Sequence, residues 1–204
     1  METLKKIKRW LGDIRYRIIT EIKWRVAGKP VPPPHFIKQR IIKNFANKFD
    51  IKVFIETGTY HGSTTWAVRN TFDEIYSIEL DRVLYEKACE KFKFLPHIHI
   101  VNGDSSKILP EILSKIDKPV LFWLDGHYSG GATAKGNLET PILEELKSVL
   151  NHKVKNHIIL IDDARLFVGK NDYPTIAELK SFVSKINPNL SFEIENDIIR
   201  IVKL

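Results

Sequence analysis

Residues 52–70 read Lys52-Val53-Phe54-Ile55-Glu56-Thr57-Gly58-Thr59-Tyr60-His61-Gly62-Ser63-Thr64-Thr65-Trp66-Ala67-Val68-Arg69-Asn70. The apolar run at 52–56 predicts a strand, and 63–70 a helix. Between them lies a turn with two glycines, where the backbone can bend sharply and come close to a ligand. A helix start offers unpaired N–H groups to the same ligand. A glycine turn alone is a weak signal, but one that follows an apolar strand and opens a helix is a stronger one.

The alternation continues outward. Strands are expected at 74–79, 97–101, 119–125 and 157–162. Helices are expected at 82–92, 106–115, 138–150 and 175–186. Strands separated by helices of this length predict right-handed βαβ units and a parallel sheet. Val120-Leu121-Phe122-Trp123-Leu124 and Ile158-Ile159-Leu160-Ile161 are continuously apolar, as strands are when helices cover both faces. The end breaks the pattern: strands at 191–195 and 198–202 leave room only for a tight turn at Asn196-Asp197, so they form an antiparallel hairpin. The expected fold is α/β: a Rossmann-like, doubly wound, mostly parallel seven-stranded sheet with an antiparallel C-terminal hairpin.

Acidic residues recur at the ends of these strands: Glu56, Glu79, Asp104, Asp125 and Asp162. Parallel strands bring their carboxyl ends to one edge, where ligands of open α/β sheets bind. Each acid alone has a plain reading as a turn former or helix cap, as with Asp104 before Ser105 and Ser106. Five in succession favour a site. The glycine spacing differs from the dinucleotide fingerprint G-x-G-x-x-G, since three residues separate Gly58 from Gly62. Glu79 follows Gly58 by 21 residues, where a carboxylate can accept ribose hydroxyls. Asp104 stands where an acid can meet an adenine amino group.

Together, Glu56-Thr57-Gly58-Thr59-Tyr60-His61-Gly62, Glu79, Asp104, Asp125 and the terminal hairpin resemble the class I S-adenosylmethionine-dependent methyltransferases. The resemblance covers roughly residues 36–204. It implies S-adenosylmethionine as cofactor, with Gly58 and Gly62 cradling its methionine part, Glu79 holding the ribose and Asp104 contacting adenine. The implied cofactor-binding set is Glu56, Gly58, Thr59, Tyr60, Gly62, Ser63, Glu79, Asp104, Ser105 and Asp125.

Asp125, Asp162 and Asp163 bring three carboxylates from two adjacent strand ends. They would repel one another unless protonated or neutralised, and Mg²⁺ suits such oxygen donors. The pattern is similar to metal-dependent O-methyltransferases acting on catechols and sugars, with a longer glycine-rich segment between the acids. The alternative is contact with Lys135 or Arg165, or helix capping. His127, beside Asp125, is the candidate general base, since an imidazole titrates near neutrality; the alternative is a loop histidine bonded to backbone. Trp123, Tyr128, Phe167 and Tyr173 either line an acceptor pocket or belong to the core, and Trp123 reads as core. The expected activity is methyl transfer to a hydroxyl of a sugar or small metabolite. A nucleotide- or NAD-dependent enzyme and a non-catalytic cofactor-binding module are the competing readings.

Ahead of this domain, residues 3–27 predict a helix. Leu4, Ile7, Leu11, Ile14, Ile18, Ile22 and Val26 form one apolar stripe at steps of three or four. The helix ends at Gly28, and Pro32-Pro33-Pro34 make an extended linker, dividing the chain into 1–34 and 35–204. Residues 1–30 carry nine basic against three acidic residues, so +6 of the net +7 lies there. The body is nearly neutral, which gives no reason to expect a nucleic-acid partner. The helix either packs on its own domain or a second subunit, or lies on an anionic membrane surface. Cys89 is the only cysteine, so an intrachain disulfide is excluded, and with no secretory pattern or spanning segment the expected location is the cytoplasm, with peripheral contact at the inner membrane surface as an option.

Overall fold

The computed structural model describes residues 2–126 and 140–203, with side chains from residue 11 onward. Helix α1 (Glu2–Val26) and α2 (His35–Lys48) precede the sheet. Then come β1 (Val53–Thr57), α3 (Ser63–Val68), β2 (Glu74–Glu79), α4 (Arg82–Phe92), β3 (Ile98–Asn102) and α5 (Ser105–Leu113). The chain continues through β4 (Val120–Leu124), α6 (Ile142–Asn151), β5 (Ile158–Ile161), a short 3₁₀ turn (Ala164–Leu166) and α7 (Ile176–Ile186), and it closes with β6 (Leu190–Glu195) and β7 (Ile198–Lys203). Of the helix expected over 138–150, residues 138 and 139 lie outside the described residues, and α6 runs Ile142–Asn151 with Pro141 at its N-cap.

The seven strands are ordered β3-β2-β1-β4-β5-β7-β6. The first five pair in parallel, and β7 joins β5 and β6 antiparallel, as the hairpin pattern required. Every residue of β1, β4 and β5 is buried. Alternate side chains of the central strands face two cores. Val53, Ile55, Phe122 and Leu124 pack with Leu109, Leu146 and Leu179 of α5–α7. Phe54, Leu121 and Trp123 pack with Ile41, Val68 and Ala88 of α2–α4. Truncating a fully buried aromatic such as Phe122 in a core of this kind costs about 3–5 kcal/mol.

Helix α1 is attached at its C-terminal end. Trp24 is buried, and its Nε1 donates to the Pro30 carbonyl at 2.8 Å. Glu21 accepts from both Arg25 and Arg40. The expected apolar stripe does not make this attachment: Leu11, Ile18, Ile22 and Val26 are 53%, 54%, 55% and 84% exposed. The helix therefore docks through the face beside the stripe. No helix among the described residues is long and apolar enough to cross a membrane.

Candidate functional site

The strand order reverses between β1 and β4, where connections leave to opposite faces and a crevice opens. Thr57 and Leu124 are paired at the ends of these two strands, so the next residues, Gly58 and Asp125, lie side by side. The Asp125 amide donates to the Thr57 carbonyl at 3.2 Å. Gly58 has φ +86°, and a Cβ there would lie 2.6 Å from the Asp125 carbonyl oxygen. Glycine is thus required by conformation and by space. Gly62, at φ +63°, caps α3, and a Cβ on it would meet the Phe92 ring at 2.7 Å.

Glu79 closes the other side of the turn. Its Oε2 accepts from the Tyr60 amide at 2.7 Å and its Oε1 from the Asp81 amide at 2.9 Å. Each carboxylate oxygen keeps capacity for a further donor. Tyr60, at φ +49°, holds its ring half exposed and 3.9 Å from the His61 ring, centroid to centroid. Ser63 is exposed at the start of α3, and its carbonyl accepts from Gln39.

Glu56 and Thr59 turn inward. Glu56 is 2% exposed and accepts from Thr65 Oγ1 at 2.5 Å and Ser77 Oγ at 2.7 Å. Burial pushes its pKa up to about 7, against the pull of those hydroxyls and with added repulsion from Asp125. Thr59 Oγ1 bonds Ser77 Oγ at 2.6 Å. Both side chains brace the turn from beneath. Asp104 caps α5, its Oδ1 accepting from the Ser106 amide at 3.0 Å and hydroxyl at 2.7 Å. Ser105 is buried beside Glu145. Burial also pushes Glu145 up to about 7, while Ser105 and Thr57 oppose it.

Asp125, Asp162 and Asp163 do converge, each offering an oxygen within 4.8 Å of the others. A lysine stands among them. Lys38 Nζ, on α2, lies 2.6 Å from Asp162 Oδ1 and 3.0 Å from Asp163 Oδ1. Arg165 donates to Asp163 Oδ1 at 2.8 Å and also pairs with Asp197 of the β6–β7 turn. Burial and repulsion from Asp125 and Asp163 push Asp162 upward, and Lys38 pulls it back. For Asp163, burial acts upward, but Lys38 and Arg165 together hold it below the usual carboxylate range. Burial would lower Lys38; the two carboxylates outweigh it and keep the ammonium charged.

Lys38 and His35 were not singled out in the sequence. The available signal was a lysine at a core-facing helical position, in register with Ile41, Ile42 and Phe45. His35 opens α2 and shares a 2.9 Å contact with Gln39. Burial lowers its pKa, Lys38 adds to this and Asp125 opposes it. Of the aromatic candidates, Trp123 is core as expected, at 1% exposure. Phe167 is core as well, packed edge-on to Tyr173 with centroids 5.1 Å apart, so it is not a pocket wall. His127, Tyr128 and Lys135 lie outside the described residues.

No protein-family model matches this chain, and no curated protein matches it in sequence. Solved structures do match in fold. An O-methyltransferase from Bacillus cereus in complex with SAH is 12% identical, with TM-score 0.61 over 90% of this chain and 89% of that one. The O-methyltransferase TomG from Streptomyces achromogenes, involved in tomaymycin synthesis and in complex with SAM, is 13% identical, with TM-score 0.57 over 89% and 85%. An SAH-bound methyltransferase from Podospora anserina is 15% identical, with TM-score 0.57 over 100% and 96%. The chain has the seven-stranded α/β fold of these proteins, terminal hairpin included.

Proposed function

We propose that this chain is an S-adenosylmethionine-dependent methyltransferase acting on a hydroxyl of a sugar or small metabolite. The observation that carries the reading is the joined turn and acid: Gly58–Gly62 and Glu79, linked through the Tyr60 amide, at the switch point of the sheet. The residues fit such a cofactor. Gly58 lets the turn pass directly against the Asp125 carbonyl, where any Cβ would clash, and so fixes the turn beside the crevice. Glu79 has acceptor capacity left for a ribose diol, and Asp104 stands next along the sheet edge.

When bound, S-adenosylmethionine supplies a methyl group on a sulfonium. The protein's part is then to hold the acceptor oxygen in line and exclude water. Glu79 and the turn fix the cofactor, and the buried acids Glu56 and Glu145 brace the strand ends beneath it. A proton must leave the acceptor hydroxyl. His127 beside Asp125 remains the sequence-based candidate, and His35 is a second one, since burial and Lys38 favour its neutral, proton-accepting form. A small acceptor agrees with the nearly neutral charge of residues 31–204. The cytoplasm is the matching location for a single-cysteine enzyme using this cofactor.

A divalent cation on Asp125, Asp162 and Asp163 would be the metal-assisted version. The donor oxygens suit one, but Lys38 already holds a positive charge among them. The residues present do not fit a metal, and no step is assigned to one.

The test is calorimetric titration of S-adenosylhomocysteine into the protein. Micromolar binding that is lost in Glu79→Ala supports the reading, and absence of binding to the wild type overturns it. Release of S-adenosylhomocysteine from S-adenosylmethionine, with sugars and catechols as acceptors, then identifies the acceptor class.

A further inference from the structure

We infer that Lys38 is the resident cation of the acid cluster, standing where a divalent metal bridging Asp162 and Asp163 would have to sit. Its Nζ contacts both oxygens of Asp162, at 2.6 and 2.7 Å, and one of Asp163 at 3.0 Å. The lysine is 8% exposed, and Asp162 and Asp163 are 7% and 8%. Lys38 stands between these two carboxylates, and Arg165 is shared by Asp163 and Asp197, so a further ion bridging Asp162 and Asp163 would enter against a resident ammonium, where like charges repel strongly in a buried setting. The lysine's stem is fixed as well, because it leaves α2 between Ile37 and Ile41, both buried. The same ion pair ties α2, with His35 and Gln39, to the end of β5. Lys38 is thus a positioning residue that assembles the cluster without metal. This inference stands on Lys38 and the acids, whichever cofactor binds.

The experiment is titration of Mg²⁺ and of Mn²⁺ into wild type, Lys38→Arg and Lys38→Met, read by calorimetry and by thermal unfolding without cofactor. Wild type and Lys38→Arg are expected to show no saturable heat and no shift in Tm. Lys38→Met is expected to unfold at lower temperature and to regain much of that loss with Mn²⁺. Saturable binding to the wild type overturns the inference, and this arm decides even where Lys38→Met does not fold. A folded Lys38→Met that ignores both ions also overturns it, since the cluster would then be no seat for a cation.

A second surface stands apart from this site. On α1, Leu11, Ile18, Ile22 and Val26 are all more than half exposed. Beside this face, Lys29 lines a cleft of about 360 Å³ with Arg25 and Arg40, both paired with Glu21, and with Arg200, paired with Glu195. We propose that this face lies on an anionic lipid surface. Two copies of a segment carrying +6 would repel one another, whereas acidic headgroups complement it and apolar side chains can enter the acyl boundary. Full-length protein should sediment with phosphatidylcholine vesicles containing phosphatidylglycerol and not with phosphatidylcholine alone. Ile18→Ser/Ile22→Ser should abolish sedimentation, with Tm unchanged because both side chains face solvent. Equal sedimentation of wild type and variant overturns the proposal, and so does a wild-type dimer in light scattering that the variant converts to monomer.

Discussion

The Tyr60 amide donates to Oε2 of Glu79 at 2.7 Å, so the glycine turn after β1 and the acid ending β2 form one unit before any ligand arrives. Replacing Glu79 therefore acts twice, on the turn and on the cofactor. Glu79→Gln keeps the shape but sets an amide N–H₂ against the Tyr60 or Asp81 N–H. Loss of charge-assisted hydrogen bonds of this kind costs about 1.5–3 kcal/mol. Affinity for S-adenosylhomocysteine should fall roughly ten- to a hundredfold, as calorimetry will show. Unchanged affinity would remove Glu79 from the cofactor site.

Gly58→Ala should be worse than its size suggests. The new methyl would lie 2.6 Å from the Asp125 carbonyl oxygen, at φ +86°. Strands β1 and β4 would have to part or the turn to change shape. A loss of about 1–3 kcal/mol for the backbone conformation alone is expected, with cofactor binding abolished. Urea unfolding and calorimetry measure the two effects separately. Wild-type behaviour in both would show that the turn adapts freely.

His152 and His157 set a pH dependence far from the site. The Val120 amide donates to His157 Nδ1 at 3.1 Å, which leaves the His157 proton on Nε2. That proton points at His152 Nδ1, 2.9 Å away, and His152 Nε2 donates to the Leu113 carbonyl at 3.0 Å. A proton added to His157 would face the Val120 N–H. Burial first, then His152 and Lys155, lower the His157 pKa from 6.5 to about 4. The unfolded chain thus takes up the proton before the folded one does. This contribution to stability is full above about pH 6.5, falls as the pH drops toward 4, and amounts to roughly 3 kcal/mol at most. Urea unfolding near pH 7 and near pH 5 should show a loss in wild type that shrinks in His157→Gln. An equal loss in both would locate the effect elsewhere.

Trp24→Ala should free α1 without unfolding the sheet. Trp24 packs in the same core as Ile37 and Ile41, and its indole anchors Pro30. Losing a buried Trp costs about 3–5 kcal/mol, more than the exposed Glu21 pairs can hold. Trypsin should then cut after Lys23 and Arg25 while the remaining domain resists. Protection equal to wild type would mean that the helix is held by other contacts.

Much of this molecule is legible in local chemistry. The spans of β2 and α4 were placed to the residue, because apolar period, caps and turn residues act over a few positions. The same holds for the hairpin at Asn196-Asp197 and for Gly58 and Glu79 at the edge of the sheet. The face by which α1 docks was not legible. Leu11, Ile18, Ile22 and Val26 of its apolar stripe are exposed, while Trp24 on a neighbouring face makes the contact. Phe167 likewise read as a pocket wall or as core, and packing settled it as core.

The sequence by itself determined the alternation of strands and helices, the sheet edge where acids gather and the turn that only glycine can make. Each depends on residues near one another along the chain. Only the tertiary structure decided what neutralises the acids. Lys38 meets Asp162 across 124 residues of sequence, and on its own helix it is simply a lysine on an apolar face. The sheet must first carry β5 up to α2 before burial forces those charges to find each other.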